Sequence, residues 1–482
     1  EDRRQIARRK IERDHKFGYS AGMNSLITRI EPQTRAAFAA LFRLSWPVIA
    51  SRVGVMLMAL MDTIIVGQHS SAQLGFLMLA QALYWVPAMT SMGLMMGVQV
   101  KTAQFLGAND LHRIGAVFQR GMGYALTLGI GFMLLLLIGG TSFLGLIVQP
   151  GMMVGAHVPL IIFACSMPLF LPGIVGTQFL EALGRTRDTL IATLLANAVN
   201  VVLLLLLVPG HVTIFGIHFE GAMGAATATL IARTLQSAGL LIHILRLKEA
   251  KPFDLMRPQE PDHHGAVEQR HVGYATGAAY FIEVAAFAGM TMFAGHIGEI
   301  EVASWTIVLN YASVVFMVPM GLSAGCSVLV GRAYGAGDRE GLARMGRVSF
   351  ISAGLFMVAV VIFTGLLAGV ISRFYSHDAH LLPTVQAGLL LSCFFFIPDG
   401  LQVVAAQALR ARKDILAPTV IHYVSYGAIM LPLGYVFCLT LGWGVAGLIW
   451  AVVVASLISG TFQTGRYLWL DRQINRDAAQ TE

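Results

Sequence analysis

Three carboxylates stand inside long apolar runs of this sequence: Asp62, Glu283 and Asp399. An ionisable side chain in hydrocarbon is costly unless it faces a cavity or a partner, so each marks an ion, proton or substrate path. Glu283 lies ten residues beyond the expected start of its helix, and Asp399 lies eleven before Arg410, where its helix ends. At 1.5 Å per residue both are about 15 to 17 Å from the same boundary and share a level near the midplane. Two carboxylates at one depth can hold a monovalent cation such as Na+, or share a proton, because like charges oppose joint ionisation. Tyr280 is one turn from Glu283, while Phe395 and Gln402 flank Asp399 at i−4 and i+3 on the same helix face. Asn310, in the eighth helix, joins them as expected lining.

Asp62 sits five residues from the outer end of its helix and is shallower. Thr193, Asn197 and Asn200 recur at spacings of four and three, which makes a polar stripe on one face of the fifth helix. Lipid offers amides no partners, so the stripe is expected to face Asp62. The alternative is that these amides only tie helices together. Arg52 and Arg233 are the other charges within helices. Arg52 is ten residues from Asp62, about 15 Å along one helix, so direct contact is not expected, and both arginines are read as structural.

The elements that position these groups are membrane helices. The chain has 482 residues, of which 56% are hydrophobic and only 12% charged, with a mean hydropathy of +0.69. Soluble chains carry about 25% charged residues, so lipid must solvate much of this surface. Apolar runs predict twelve transmembrane helices. The first six span 38–67, 73–99, 116–139, 156–181, 188–209 and 221–246. The second six span 273–297, 302–330, 347–371, 381–409, 415–438 and 444–470. The organisation expected is an N-terminal arm at 1–37, a six-helix lobe at 38–246 and a polar linker at 247–272. A second six-helix lobe at 273–470 and a tail at 471–482 follow.

The halves are repeats. Residues 92–110 (MGLMMGVQVKTAQFLGAND) and 320–338 (MGLSAGCSVLVGRAYGAGD) match without gaps at a shift of 228, with eight of nineteen positions identical. Thr63 and Gly67 fall on Thr291 and Gly295 at the same shift. A second match sets Pro172, Ala182, Leu183 and Asp188 on Pro398, Ala408, Leu409 and Asp414. Six helices is an even number, so both repeats enter from one side and are parallel. The fold class expected is therefore an all-α integral membrane protein, with two parallel six-helix lobes around a central cleft. Of 33 Lys and Arg residues, Arg373 alone falls in the loops opposite the termini. The positive-inside rule then makes both termini cytoplasmic.

Other chemistries are excluded by what the motifs lack. The net charge of +7 is distributed over loops and ends rather than gathered for nucleic acid. Cys165, Cys326, Cys393 and Cys438 fall in apolar segments without metal-ligand spacing and read as packing residues. The loops after Gly107 and Gly335 lack the Gly-Lys-Ser/Thr ending of a phosphate-binding loop. His263 and His264 read as solvated linker residues. No nucleophile–base arrangement occurs in the spans, so a transporter rather than an enzyme is expected. The basic arm has no short apolar core with a cleavage site, so no removable signal peptide is expected, and Met23 is a candidate start. The 23 methionines suit an adaptable cavity as well as ordinary packing, and Tyr84 and Trp85 are candidates for stacking on flat cations.

From Leu41 to Leu470 the sequence resembles the multidrug and toxic-compound extrusion (MATE) family, in its NorM-type branch. The resemblance rests on LMDTIIVG around Asp62, YWVP at 84–87, QFLGAND at 104–110 and FIEV around Glu283. LNYASVVFMVPMG at 309–321 and PDGLQVVAAQALRARKD at 398–414 are its most specific parts. It implies export of small, often cationic, amphipathic compounds in exchange for Na+ or H+, without another cofactor. Glu283 and Asp399 would be associated with the coupling ion and Asp62 with transport in the first lobe. It implies a monomer in a bacterial-type plasma (inner) membrane. The sequence departs from the family where Phe395 replaces a tyrosine, Leu204 replaces an asparagine that Asn197 would compensate, and Thr306 replaces a glutamine. A flippase of lipid-linked or polysaccharide precursors is the alternative, but it favours several cleft-facing basic residues.

Overall fold

Large apolar side chains cover the outside of this molecule: Phe374 is 85% exposed and Leu366 79%. In water such a surface would aggregate, whereas in a bilayer it is the face presented to lipid. The computed structural model describes residues 32–479 apart from 141, 144, 146–149, 215, 216, 258–261 and 377. The N-terminal arm up to residue 31 and the last three residues lie outside the described residues.

Twelve helices are long and apolar enough to cross a membrane. The first six are α1 (Pro32–His69), α2 (Ser71–Gly107), α3 (Leu111–Gly140), α4 (Gly151–Leu183), α5 (Thr186–Leu207) and α6 (Gly221–Arg246). The second six are α7 (His263–Ile297), α8 (Glu299–Gly335), α9 (Arg339–Tyr375), α10 (Leu382–Ala411), α11 (Leu416–Thr440) and α12 (Gly444–Gln473). Every expected span is present, and several helices continue beyond the apolar run. Helix α7 begins ten residues ahead of its expected start, because Asp262 caps it with a carboxylate that accepts from Gly265 N at 2.8 Å. That bond, together with Arg120 at 3.3 Å, holds the Asp262 carboxyl below the usual carboxylate range. His263 and His264 therefore occupy the first turn of a helix. Between α5 and α6 the chain forms a two-stranded antiparallel ribbon, with Val212 opposite Phe219 and Thr213 opposite His218.

Each half has its own apolar core, one built within 66–255 and the other within 286–455. The lobes meet through α1 and α2 on one side and α7 and α8 on the other. Prolines punctuate these helices, including Pro47 in α1, Pro87 in α2, Pro319 in α8 and Pro398 in α10. A proline frees the carbonyl one turn back and is tolerated where neighbouring helices pack closely. In α11 the backbone widens into π turns over Tyr423–Met430 and Val436–Thr440, a distortion that often re-aims side chains at functional sites.

The same four helices close one end of the molecule. A Cβ on Gly97 would lie 2.0 Å from the Gln269 carbonyl oxygen, and one on Gly107 would lie 2.0 Å from that of Arg332. Gly335 stands in the same relation to the Gln104 carbonyl, at 1.9 Å, and Gly325 to the Ser45 hydroxyl, at 2.3 Å. Gly97 and Gly107 correspond to Gly325 and Gly335 at the repeat shift of 228, and Gln104 corresponds to Arg332. The seam is thus nearly self-complementary: each lobe offers the same glycines to the other. Only hydrogen at these positions allows the backbones to approach so closely.

Candidate transport site

Beyond the seam, the same helices part around a cavity of about 950 Å³. Helix α1 lines it from Ser51 to Thr63, α2 from Met78 to Met92, α7 from Tyr280 to Thr291 and α8 from Trp305 to Met320. The cavity therefore extends from the middle of the bundle toward the end opposite the seam. Its wall is mainly apolar and includes Met56, Met78, Met89, Met92, Met317 and Met320, flexible side chains that can adapt to varied shapes. Trp85 faces the cavity, whereas Tyr84 is buried behind it against Phe163 at 5.0 Å between ring centroids.

Glu283 and Asp399 both line this cavity, on the wall formed by the second lobe, within electrostatic reach of each other. Asp399 is held from both sides: Tyr426 OH donates to Oδ1 at 3.0 Å and Gln402 Nε2 to the same atom at 3.3 Å. Gln402 is fixed in turn, its Oε1 accepting from Ser459 Oγ at 3.1 Å. Sequence reasoning found Gln402 but missed Tyr426, which belongs to α11 and reaches the site through the π turn. The hydroxyl that Phe395 cannot provide is thus supplied from another helix, while the Phe395 ring borders the cavity. Glu283 has a partner that the sequence did not suggest. His422 Nε2 of α11 lies 3.4 Å from Glu283 Oε2, and its ring packs on Tyr426 at 4.5 Å between centroids. Tyr280 and Asn310 line the cavity as expected, and Asn310 Oδ1 accepts from Tyr375 OH at 3.0 Å. Among the described residues no three His, Cys, Asp or Glu side chains converge on one point. A cation between Glu283 and Asp399 would draw its remaining ligands from neutral oxygens.

Asp62 is buried behind the cavity wall, within the first lobe. Asn200 Nδ2 donates to its Oδ1 at 3.3 Å and Thr229 Oγ1 to its Oδ2 at 2.9 Å. The polar stripe of α5 splits its work. Asn200 reaches Asp62 as expected, but Asn197 Nδ2 donates to the Gly54 carbonyl at 2.8 Å and Thr193 meets Ser51 Oγ at 2.8 Å. Asn197 therefore does not compensate for Leu204 near Asp62. Leu204 is fully buried in the apolar core, and the polar partner added is Thr229 on α6. No spacing rule within α5 points to a residue on another helix.

The two helix arginines differ. Arg52 Nη2 meets Glu181 Oε1 at 3.4 Å, and Gln99 Nε2 meets the other carboxylate oxygen at 3.4 Å. Glu181 is only 1% exposed and lies at the end of its apolar run, where it escaped notice as an intramembrane acid. Gln99 also reaches the Ala324 carbonyl of the other lobe at 3.5 Å, which ties this cluster to the seam. Arg52→Gln leaves Glu181 without its countercharge, and a loss of about 2 to 3 kcal/mol is expected, a little below the range for fully buried pairs because Arg52 borders the cavity. The double variant with Glu181→Gln should recover most of it, read as the melting temperature of the purified protein. A double variant no more stable than Arg52→Gln alone would contradict the pairing.

The MatE family model matches residues 47–206 and 275–436, one stretch in each lobe. The chain belongs to the MatE family. As a MatE protein it is a transporter and not an enzyme. It is 40% identical over 447 residues to a probable multidrug resistance protein NorM of Caulobacter vibrioides, a match covering 91% of this chain and 93% of the relative. To the multidrug resistance protein NorM of Aliivibrio fischeri it is 26% identical over 443 residues, covering 90% and 95%. A solved structure described as the outward-facing conformation of a multidrug resistance MATE family transporter superposes with a TM-score of 0.82. That match has 18% identity and covers 91% of this chain and 97% of that one. In this MatE transporter the two matched stretches include Asp62, Glu283 and Asp399.

Proposed function

We propose that this protein exports amphipathic organic compounds across a bacterial inner membrane in exchange for Na+ or H+, by alternating access. The observation that carries the reading is the cavity itself, apolar and of about 950 Å³, closed at one end by the glycine seam, with Glu283 and Asp399 on one wall. That volume suits a drug-sized molecule. The Lys- and Arg-rich end, which bears the seam, is the cytoplasmic one, so the state described is closed to the cytoplasm. In the cycle, a cation enters between Glu283 and Asp399, substrate leaves, and the lobes rock about the seam to expose the cavity to the cytoplasm. The cation is released there and new substrate binds. An inside-negative potential assists entry by about 2.3 kcal/mol per charge per 100 mV.

The NorM relatives support the export reading through their names. A lipid-linked anionic cargo would need several free basic groups in the cleft. Arg52 and Arg233 both border the cavity, but Arg52 is neutralised by Glu181, which leaves one. Efflux of a fluorescent organic cation from vesicles, driven by an imposed Na+ gradient or an imposed proton gradient, tests the proposal. One of the two is expected to raise the efflux rate at least about fivefold over no gradient, within the range of ordinary two-site coupling. No acceleration under either gradient would refute exchange.

A further inference from the structure

A second cavity, of about 310 Å³, opens on the lipid-facing side of the first lobe between α5 and α6. Its walls are Ile191, Leu195 and Val199 of α5, set four residues apart on one helix face, and Leu235 of α6. Ile191, Leu195 and Leu235 are exposed. The groove exists because the residues at its floor are small: Ala192, Ala196 and Gly239. A Cβ on Gly239 would meet nothing within 4 Å, so the backbone there borders open space. Gln236 lies behind, its Nε2 donating to Thr193 Oγ1 at 3.0 Å. Gln236 and Leu240 also line the central cavity, so the two spaces share a wall.

From Asp188 to Val199 the groove follows eleven residues of helix, about 16 Å. That is the depth of one leaflet of a ~30 Å hydrocarbon layer. Its mouth lies at the Lys- and Arg-rich end. There Asp188 Oδ2 meets Arg185 Nε at 2.7 Å and His243 Nε2 at 2.9 Å, so the acid that lines the groove is already countered. Arg187 and Arg246 extend the two walls by one turn, four residues before Ile191 and three after His243. Both are exposed, and among the described residues neither is paired with a carboxylate. An apolar slot one leaflet deep, with two guanidinium groups at its mouth, matches an acyl chain that carries a phosphate. We propose that the α5–α6 groove binds an anionic phospholipid of the cytoplasmic leaflet, one acyl chain lying in the groove and the phosphate held by Arg187 and Arg246. The site is independent of what the central cavity carries.

Native mass spectrometry of the purified full chain, titrated with dioleoyl phosphatidylglycerol or dioleoyl phosphatidylcholine, reads the affinity of the first lipid bound. The unaltered protein should bind phosphatidylglycerol about tenfold more tightly, because the choline group cancels the attraction of the arginines. Arg187→Gln combined with Arg246→Gln should bring the two lipids to equal affinity. Gly239→Leu, which fills the groove, should weaken phosphatidylglycerol by about tenfold, the loss expected when an acyl segment is displaced from apolar contact. Gly239→Ala should give a smaller loss in the same direction, and it decides the matter should the leucine variant fail to fold. Equal affinity for the two lipids in the unaltered protein would overturn the proposal. So would a preference that survives in the double arginine variant, or binding that neither glycine variant weakens. Inorganic phosphate should not displace the bound lipid; displacement would reveal a site for free phosphate and overturn the lipid assignment.

Discussion

Asp399→Asn is expected to reduce gradient-driven efflux to background, a loss of more than about tenfold, while leaving the protein folded and abundant. The substitution keeps the volume of the side chain and an oxygen that can accept from Tyr426, now 3.0 Å away. Behind it, the bonds by which Ser459 and Gln463 hold the Gln402 carbonyl do not involve Asp399 and should persist. What is lost is a negative charge in a low-dielectric wall, at the level where the proposed coupling cation would be stabilised, and a neutral amide cannot replace it. Glu283→Gln should act in the same direction, since the two acids face one cavity. The readout is dye efflux under the better of the two gradients, with protein level and melting temperature as controls. Normal efflux by Asp399→Asn would remove this residue from the coupling site.

Gly97→Ala and Gly335→Ala are each expected to open the closed end of the molecule. The added methyl would meet a backbone carbonyl, of Gln269 at 2.0 Å or of Gln104 at 1.9 Å. A backbone oxygen in a helix cannot turn aside, so α2 must separate from α7 or from α8. Overpacking of this kind costs about 1 to 3 kcal/mol, which shifts the balance between closed and open forms by about 5- to 150-fold. Gly325→Ala should do less, because its methyl meets the Ser45 hydroxyl, the tip of a side chain that can rotate. Spin labels at His112 and Glu340, exposed first-turn residues of α3 and α9, should report longer distances in the two severe variants than in Gly325→Ala. Efflux should fall in the same order. Unchanged distances together with full efflux in Gly97→Ala would show that the seam is not the contact that closes this end.

Much of the architecture was legible in the sequence because lipid imposes a simple rule: each span must be apolar and about twenty residues long. Twelve such runs, matches at shifts of 228 and 226 between halves and a one-sided distribution of Lys and Arg define two parallel lobes. The same local arithmetic put Glu283 and Asp399 at one depth, and placed Gln402 on the face of Asp399 and Asn200 opposite Asp62.

What the sequence could not show is which residues of different helices meet. Tyr426, His422 and Thr229 are unremarkable in their own runs. They matter because packing brings α11 beside α10 and α7, and α6 beside α1. Glu181 stands at the edge of an apolar run, and its burial follows only from the packing of Arg52 and Gln99 around it. The repeated glycines mark a duplication in the sequence, and only the folded chain shows that each meets a carbonyl or hydroxyl of the other lobe. A helical position says nothing of countercharges, so the sequence does not separate Arg52, which meets Glu181, from Arg233, which lies over Phe170 and Trp85. Periodicity along one helix records what faces inward, while partners are chosen by contacts between segments far apart in the chain, and those only the tertiary structure decides.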